Sequence, residues 1–291
     1  MRRTMQRAAA LLILAAMLLS GCGTPANSEE PTQPAAAPAA TETPAPTPTP
    51  EPTPDPEEEA RKERLAAAQD GFVWDKGYLC AVDENGDLKK DCWIGVLYFD
   101  EEGHYTSGDK ELDKLVASVV RHNTTNRMTR MERLHALYDY TRDNIKYVGF
   151  GNHDLSMKPA HGPEGWMPEL AIRALKEGVG NCYFYAATFA ALARGVGYQA
   201  FAVGGIVGAI DEQHGWVEII DEDGNIWFSD PELEFRRRDF QVYEIPDLFW
   251  RTKEDIQQVM RMNYTQQCDP FAAEAEHVDL HTEEPAGQTN P

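Results

Sequence analysis

Five residues, Gly178-Val179-Gly180-Asn181-Cys182, lead directly into Tyr183–Arg194, a run of aromatic, small and aliphatic residues without glycine or proline. That run predicts a helix, ended by Gly195 and Gly197. Asn181 is a good N-cap residue, because its side-chain oxygen can accept from a first-turn N–H. Cys182 is thereby placed in the first turn, where its sulfur meets the positive end of the helix dipole and unpaired N–H groups. Such a setting lowers a thiol pKa from ~8.5 into a range of ~3.5–7.5 when a charged His is also near. The same N–H groups can stabilise an oxyanion formed beside the sulfur. A free cysteine taken alone is more often a packed core residue, so the case for chemistry rests on the residues C-terminal to this helix.

Those residues read as an antiparallel sheet. Phe201-Ala202-Val203 predicts one strand and His214–Ile220 a second. Asp221-Glu222-Asp223-Gly224-Asn225 is a turn, and Ile226–Ser229 a third strand that ends at Asp230-Pro231. His214 and Asp230 thus fall on neighbouring strands. A two-residue Asp223-Gly224 turn would leave them about 10 Å apart at strand rise. A three-residue loop at 221–223 would place His214 opposite Asp230, and we therefore expect that longer loop, or a bulge, so that the pair can touch. Trp216 is expected to be core.

The Gly-x-Cys at a helix start, the His-x-Trp strand and the Asp-Pro after an aromatic strand resemble the transglutaminase-like superfamily. Asn144-Ile145-Lys146-Tyr147 is similar to the family's lead-in segment, and the resemblance spans roughly residues 110–235. It implies an α+β fold: a papain-like core with the catalytic Cys at a helix N-terminus packed on an antiparallel sheet. It also implies the order Cys182, His214, Asp230 for nucleophile, base and orienting acid, a thioester intermediate, and no metal or cofactor. The partner implied is a protein or peptide substrate, cell-wall peptide included, with water or an amine as acyl acceptor. Glu232 departs from the family pattern, in which a small residue or Thr often follows the Pro. Asp230-Pro231 and the His-x-Trp strand argue against an NlpC/P60-type peptidase.

The rest of the chain sets the context. Arg2, Arg3 and Arg7 precede an apolar run from Ala8 to Leu19 that ends in Leu19-Ser20-Gly21-Cys22. Residues 1–21 read as a signal peptide, and the ending resembles the lipobox of bacterial lipoproteins. That resemblance implies a diacylglycerol on Cys22 and an extracytoplasmic, membrane-anchored protein. Residues 22–57 form a tether; eleven of residues 24–57 are Pro and none is aromatic, so the segment favours extended conformations over a core. Residues 272–291 are acidic and without periodicity, and are expected to be disordered. The formal net charge of −21 argues against nucleic acid as a partner.

Residues 71–108 are expected to form a small β-hairpin module ahead of a transglutaminase-like domain at 109–270. Val82-Asp83-Glu84-Asn85-Gly86 repeats as Phe99-Asp100-Glu101-Glu102-Gly103 at an offset of 17. The second copy, from Leu97 to Gly108, resembles the aromatic, Gly-containing cell-wall-binding repeats of exported Gram-positive proteins. Two plain hairpins remain the alternative, as does a wall-binding lipoprotein with an idle core. Cys80 and Cys92 flank the first turn, and an exported context permits a disulfide between them; two separate packed thiols are the other reading. Leu112, Leu115, Val116, Val119 and Val120 share a helical face. Thr129 and Glu132 have capping-box spacing ahead of a stripe of Met131, Leu134, Tyr138, Thr141 and Ile145. His153, Asp154 and His161 read as a loop rather than a metal site. Arg236-Arg237-Arg238 reads as a solvated face, and Cys268 has no assignable role.

Overall fold

The computed structural model describes residues 55–148, 166–208, 212–239, 247–261 and 263–266. The signal peptide, Cys22, most of the tether, His153, Asp154, His161, Cys268 and the acidic tail lie outside the described residues. The final residues assigned to the tether are already helical. Helix α1 spans Pro56–Ala67, with the Asp55 carboxylate accepting from the Glu57 N–H and Pro56 at the first helical position, where its missing N–H costs nothing.

Two small antiparallel units come next. Strands β1 (Phe72–Asp75) and β2 (Tyr78–Ala81) form a hairpin; β3 (Cys92–Ile94), β4 (Leu97–Phe99) and β5 (Tyr105–Thr106) form a three-stranded sheet. Helix α2 (Lys110–Asn123) is capped by Asp109 and buries Leu112, Val116, Ala117 and Val120. Helix α3 (Arg130–Asn144) carries the expected Thr129–Glu132 capping box, and buries Leu134, Leu137, Tyr138 and Thr141. Met131, assigned to that stripe, is exposed instead. Beyond α3 lie strand β6 (Lys146–Tyr147), helix α4 (Trp166–Glu177) and strand β7 (Val179–Gly180), with β6 and β7 paired in parallel.

Helix α5 (Cys182–Arg194) is buried along its whole length. Its alanines let it lie close between two layers. Leu134, Leu137 and Tyr138 of α3 pack on one side, and sheet residues Ala200, Ala202, Val217 and Ile219 on the other. That sheet consists of β8 (Gln199–Val207), β9 (Glu212–Ile220), β10 (Ile226–Ser229) and β11 (Tyr264–Gln266), all antiparallel, in the order β10-β9-β8-β11. Helices α6 (Pro231–Asp239) and α7 (Lys253–Met260) connect its last two strands. The fold is α+β.

The hairpins do not stand apart from this core, although the change in pattern predicts a boundary at residue 108. Phe72, Leu79, Leu97 and Phe99 share one apolar cluster with Val203, Trp216 and Phe228 of the main sheet. The Trp74 indole donates to the Gly195 carbonyl at the end of α5, at 3.2 Å.

The internal repeat is a turn, and among the described residues it occurs three times. Asp83, Asp100 and Asp221 each accept two backbone N–H groups on one carboxylate oxygen, from residues two and four positions on. The glycine three positions on has positive φ in each case and donates to the aspartate's own carbonyl. Each turn is a five-residue loop, closed by Val82 with Leu88, Phe99 with Tyr105, and Ile220 with Ile226. Such Asx turns need Asp or Asn first and Gly at the left-handed position. Hydrogen bonds from Trp227 and Asn225 hold the Asp221 carboxyl down to about 2.

The same loop explains why Cys80 and Cys92 are not bridged. Both thiols are free. With Val82 paired to Leu88 and the Lys89 N–H donating to the Ala81 carbonyl, the register runs out before Cys92. Cys92 belongs to β3 and faces Phe99 across the sheet, whereas Cys80 pairs with Val73 and bridges to His104. Burial pushes the Cys80 thiol up to about 11, so it is a packed thiol rather than a reactive one.

Gly77 is where the first hairpin meets α2. Its φ is +95°, and a Cβ there would sit 2.1 Å from the Ala117 carbonyl oxygen. Gly77→Ala combines a left-handed backbone with a clash against fixed helix backbone. It is expected to cost about 2–5 kcal/mol, read as a shift in the urea midpoint.

Candidate active site

The first turn of α5 begins as the sequence predicts. The Asn181 side chain accepts from the Tyr183 N–H at 3.1 Å, and Asn181 itself is buried. Gly180 precedes it because a Cβ there would lie 2.3 Å from the Phe184 Cβ. Cys182 is therefore fixed at the helix start, 2% exposed, and near enough to the His214 ring to raise its pKa. Gly215 brings the two elements together: a Cβ at that position would meet Tyr183 Cδ1 at 2.8 Å and Tyr183 Cα at 3.1 Å. Only a residue without a side chain lets β9 run that close to the start of α5.

His214 and Asp230 meet through the register of β9 and β10. Ser229 pairs with Val217, so the next residue, Asp230, falls level with Trp216, diagonal to His214. The loop is longer than two residues, but it is the five-residue turn 221–225 and not the three-residue loop expected at 221–223, so the pair is diagonal rather than directly opposite. Its effect is one of parity. A shift of one residue turns every side chain to the other face, and the two-residue turn would have put Asp230 on the face away from His214. With the observed register, His214 Nε2 lies 2.7 Å from Asp230 Oδ2.

Asp230 ends the strand and starts α6. Its Oδ1 accepts from the Leu233 N–H at 3.0 Å, as an N-cap does, with Pro231 at the first helical position. Its Oδ2 accepts from His214 and also from the Tyr264 hydroxyl at 2.9 Å. Burial and the Asp230 charge push the Tyr264 phenol well above its ordinary pKa, so it stays a donor. For His214, burial opposes the charged form, but the charge and hydrogen bond of Asp230 and the Cys182 contact outweigh it. The imidazole pKa is raised well above its ordinary 6.5.

Tyr264 is a site residue that the sequence does not reveal. It lies on β11, 34 residues from Asp230, and a lone Tyr in a short strand carries no local signal. Glu232 stands out in the sequence only as a departure from the family pattern. It is fully buried; its Oε2 lies 3.6 Å from His214 Nδ1, and its Oε1 lies 2.6 Å from Arg236 Nε. Arg236 is thus part of the site's charge balance rather than of a solvated face. Trp216 is core, as expected, 1% exposed and donating to the Glu218 carboxylate at 2.9 Å.

Among the described residues, two groups bring three His, Asp or Glu ligand atoms close together: Asp100, Glu102 and His104, and His214, Asp230 and Glu232. Several of these atoms already have partners. Asp100 Oδ1 caps its own turn. His214 Nε2 and Asp230 Oδ2 bind each other, and Arg236 neutralises Glu232.

Residues 114–230, from α2 to Asp230, match the model of the transglutaminase-like superfamily. The matched region thus contains all three residues singled out by sequence. A solved chain from Cytophaga hutchinsonii, named as a candidate cysteine protease, is similar at 18% identity, with 42% of this chain and 37% of that chain covered and a TM-score of 0.32. No curated protein gives a significant match.

Gly215→Ala is expected to keep the sheet but to push Tyr183, and Cys182 with it, away from His214. A misplacement of that kind lowers reactivity on the order of 10- to 100-fold, measured as the rate of Cys182 alkylation by iodoacetamide at neutral pH with circular dichroism unchanged.

Proposed function

We propose that this chain is a cysteine-dependent acyl hydrolase or acyltransferase acting on amide bonds of proteins or peptides outside the cytoplasm, held to the membrane by a lipid on Cys22. The observation that carries the catalytic part is the buried relay from the Cys182 thiol through the His214 ring to Asp230 Oδ2. The anchoring rests on the sequence of residues 1–22.

In this reading the resting pair is a Cys182 thiolate and a His214 imidazolium, favoured by the helix start on one side and Asp230 on the other. The thiolate attacks an amide carbonyl, and the first-turn N–H of Cys182 is the candidate donor to the oxyanion. The C–N bond breaks, His214 gives its proton to the leaving amine, and a thioester to Cys182 remains. Water or an amine then attacks the thioester and passes a proton back to His214. The thiolate leaves, and the ion pair is restored. Asp230 keeps the ring oriented and compensates its charge without being protonated itself.

The direct test incubates the protein with candidate peptides and a labelled primary amine, followed by mass spectrometry. Hydrolysis leaves a new acid, and transfer leaves the label on the peptide. Cys182→Ala is expected to lower either product on the order of 10⁴-fold or more. Full retention of activity in that variant would sink the enzyme reading.

A pH dependence arises from the imidazole. Its folded pKa is raised, so the ion pair persists above pH 6.5 and the alkaline limb of kcat/KM lies above the ordinary His range. The stability contributed by the charged ring is fully present below about 6.5, the unfolded value, and is lost as pH rises through the folded value. Asp230→Asn removes the main raising influence. It is expected to draw the alkaline limb down toward 6.5 and to flatten the fall in thermal stability over the same interval.

A further inference from the structure

We infer that Glu232 is a second carboxylate partner of His214, a positioning residue that keeps the proton on the ring nitrogen turned toward Cys182. The inference rests on the cysteine-enzyme reading above and assigns a regulator of protonation within that site. Asp230 occupies Nε2 at 2.7 Å, so Nδ1 is the nitrogen left for the thiol. Glu232 Oε2 lies 3.6 Å from that same nitrogen. A carboxylate therefore stands at each end of one imidazole.

An acidic residue early in a helix is ordinarily explained by the helix dipole, and a Glu–Arg pair four residues apart by surface pairing. Neither needs burial. Glu232 is fully buried, and a buried carboxylate is costly unless cations stand against it. Arg236 stands at Oε1 and the imidazole at Oε2. A neutral ring with an unprotonated Nδ1 would turn a lone pair toward Oε2, so the carboxylate selects the protonated ring. The other charged and titratable groups nearby have partners of their own. Cys182 of α5 and Asp230 contact His214 itself, and Tyr264 of β11 donates to Asp230. Arg237 acts on Tyr264. Glu234 is paired with Arg142 of α3, and Glu218 of β9 accepts from Trp216.

The consequence differs between the two halves of the reaction. On the thioester, neutral His214 must take a proton from the acyl acceptor onto Nδ1, and the Glu232 charge favours that transfer. During acylation the ring must give the same proton to the leaving amine, and Glu232 opposes it. Glu232 thus favours the base step at the expense of the acid step.

The test uses the full chain. His214 is titrated by NMR, and Cys182 alkylation by iodoacetamide is followed across pH. Opposite charges within a few ångströms shift a pKa by ~1–3 units, so Glu232→Gln is expected to lower the upper inflection by about one unit, with Glu232→Asp partly restoring it. Arg236→Gln removes the competing cation and is expected to move the inflection the other way, which keeps the inference testable if Glu232→Gln does not fold. An unchanged inflection in Glu232→Gln, or a fall or no change in Arg236→Gln, overturns it. The NMR titration can be repeated in a Cys182→Ala background, where it reports the Glu232–His214 contact with no catalytic activity required. Failure of the enzyme reading, seen as activity retained without Cys182, is therefore a separate result from failure of this one.

Discussion

Asp230 is the residue on which the site and its surroundings converge. It is fully buried, and its polar atoms are all engaged. Its N–H donates to the Leu248 carbonyl, its own carbonyl accepts from Tyr138, Oδ1 caps α6, and Oδ2 accepts from both His214 and Tyr264. Those partners come from α3, β9, β11 and the segment before α7. Those donors hold the position of the carboxylate. The orientation of the His214 ring is thus not a property of β9 alone. It is set by contacts that exist only when the helices and the last strand have packed.

The acidic turn Asp221–Asn225 contributes to the same outcome from the outside. Its hydrogen bonds are local, but by fixing a five-residue loop it fixes the parity of β10 against β9. His214 and Asp230 then share a face of the sheet. The two copies of that turn in residues 83–87 and 100–104 have no such task; they close hairpins whose apolar residues line the core beneath Trp216. One turn chemistry, used three times, sets the register of the His214–Asp230 pair once and supports a packing surface twice.

Much of this is legible in the sequence because the signals are local. The Asn181 cap, the Thr129–Glu132 box, the strands around His214 and the order of the three candidate residues all depend on neighbours a few positions apart, and the structure keeps them. The register is legible only in part: the pair asks for a loop longer than two residues, but the three-residue loop at 221–223 gives way to a five-residue one, because Asp221 and Gly224 repeat an Asp-x-x-Gly turn that the likeness to wall-binding sequences obscures. The features that stay hidden depend on packing between distant segments. Tyr264 reaches Asp230 from the far edge of the sheet. Residues 71–108 look like a module by composition, yet Phe72 and Leu97 complete a cluster centred on the main sheet. Cys80 and Cys92 are symmetric in sequence about Gly86, but a loop that closes at Val82 and Leu88 uses up that symmetry before the cysteines are reached.

The first turns of α6 show how one short sequence meets both structural and chemical demands. Asp230, Glu232 and Glu234 alternate and all three are buried, with His214 between Asp230 and Glu232, Arg236 beside Glu232 and Arg142 beside Glu234. Glu234 also accepts from Tyr138 and the Leu248 N–H, so it ties α6 to α3 and to the chain leading into α7. Three carboxylates this close repel unless cations stand among them. Of the three cations present, the one able to change its charge near neutral pH is the imidazole. The electrostatic balance of the cluster is therefore concentrated on His214, which has a carboxylate near each ring nitrogen.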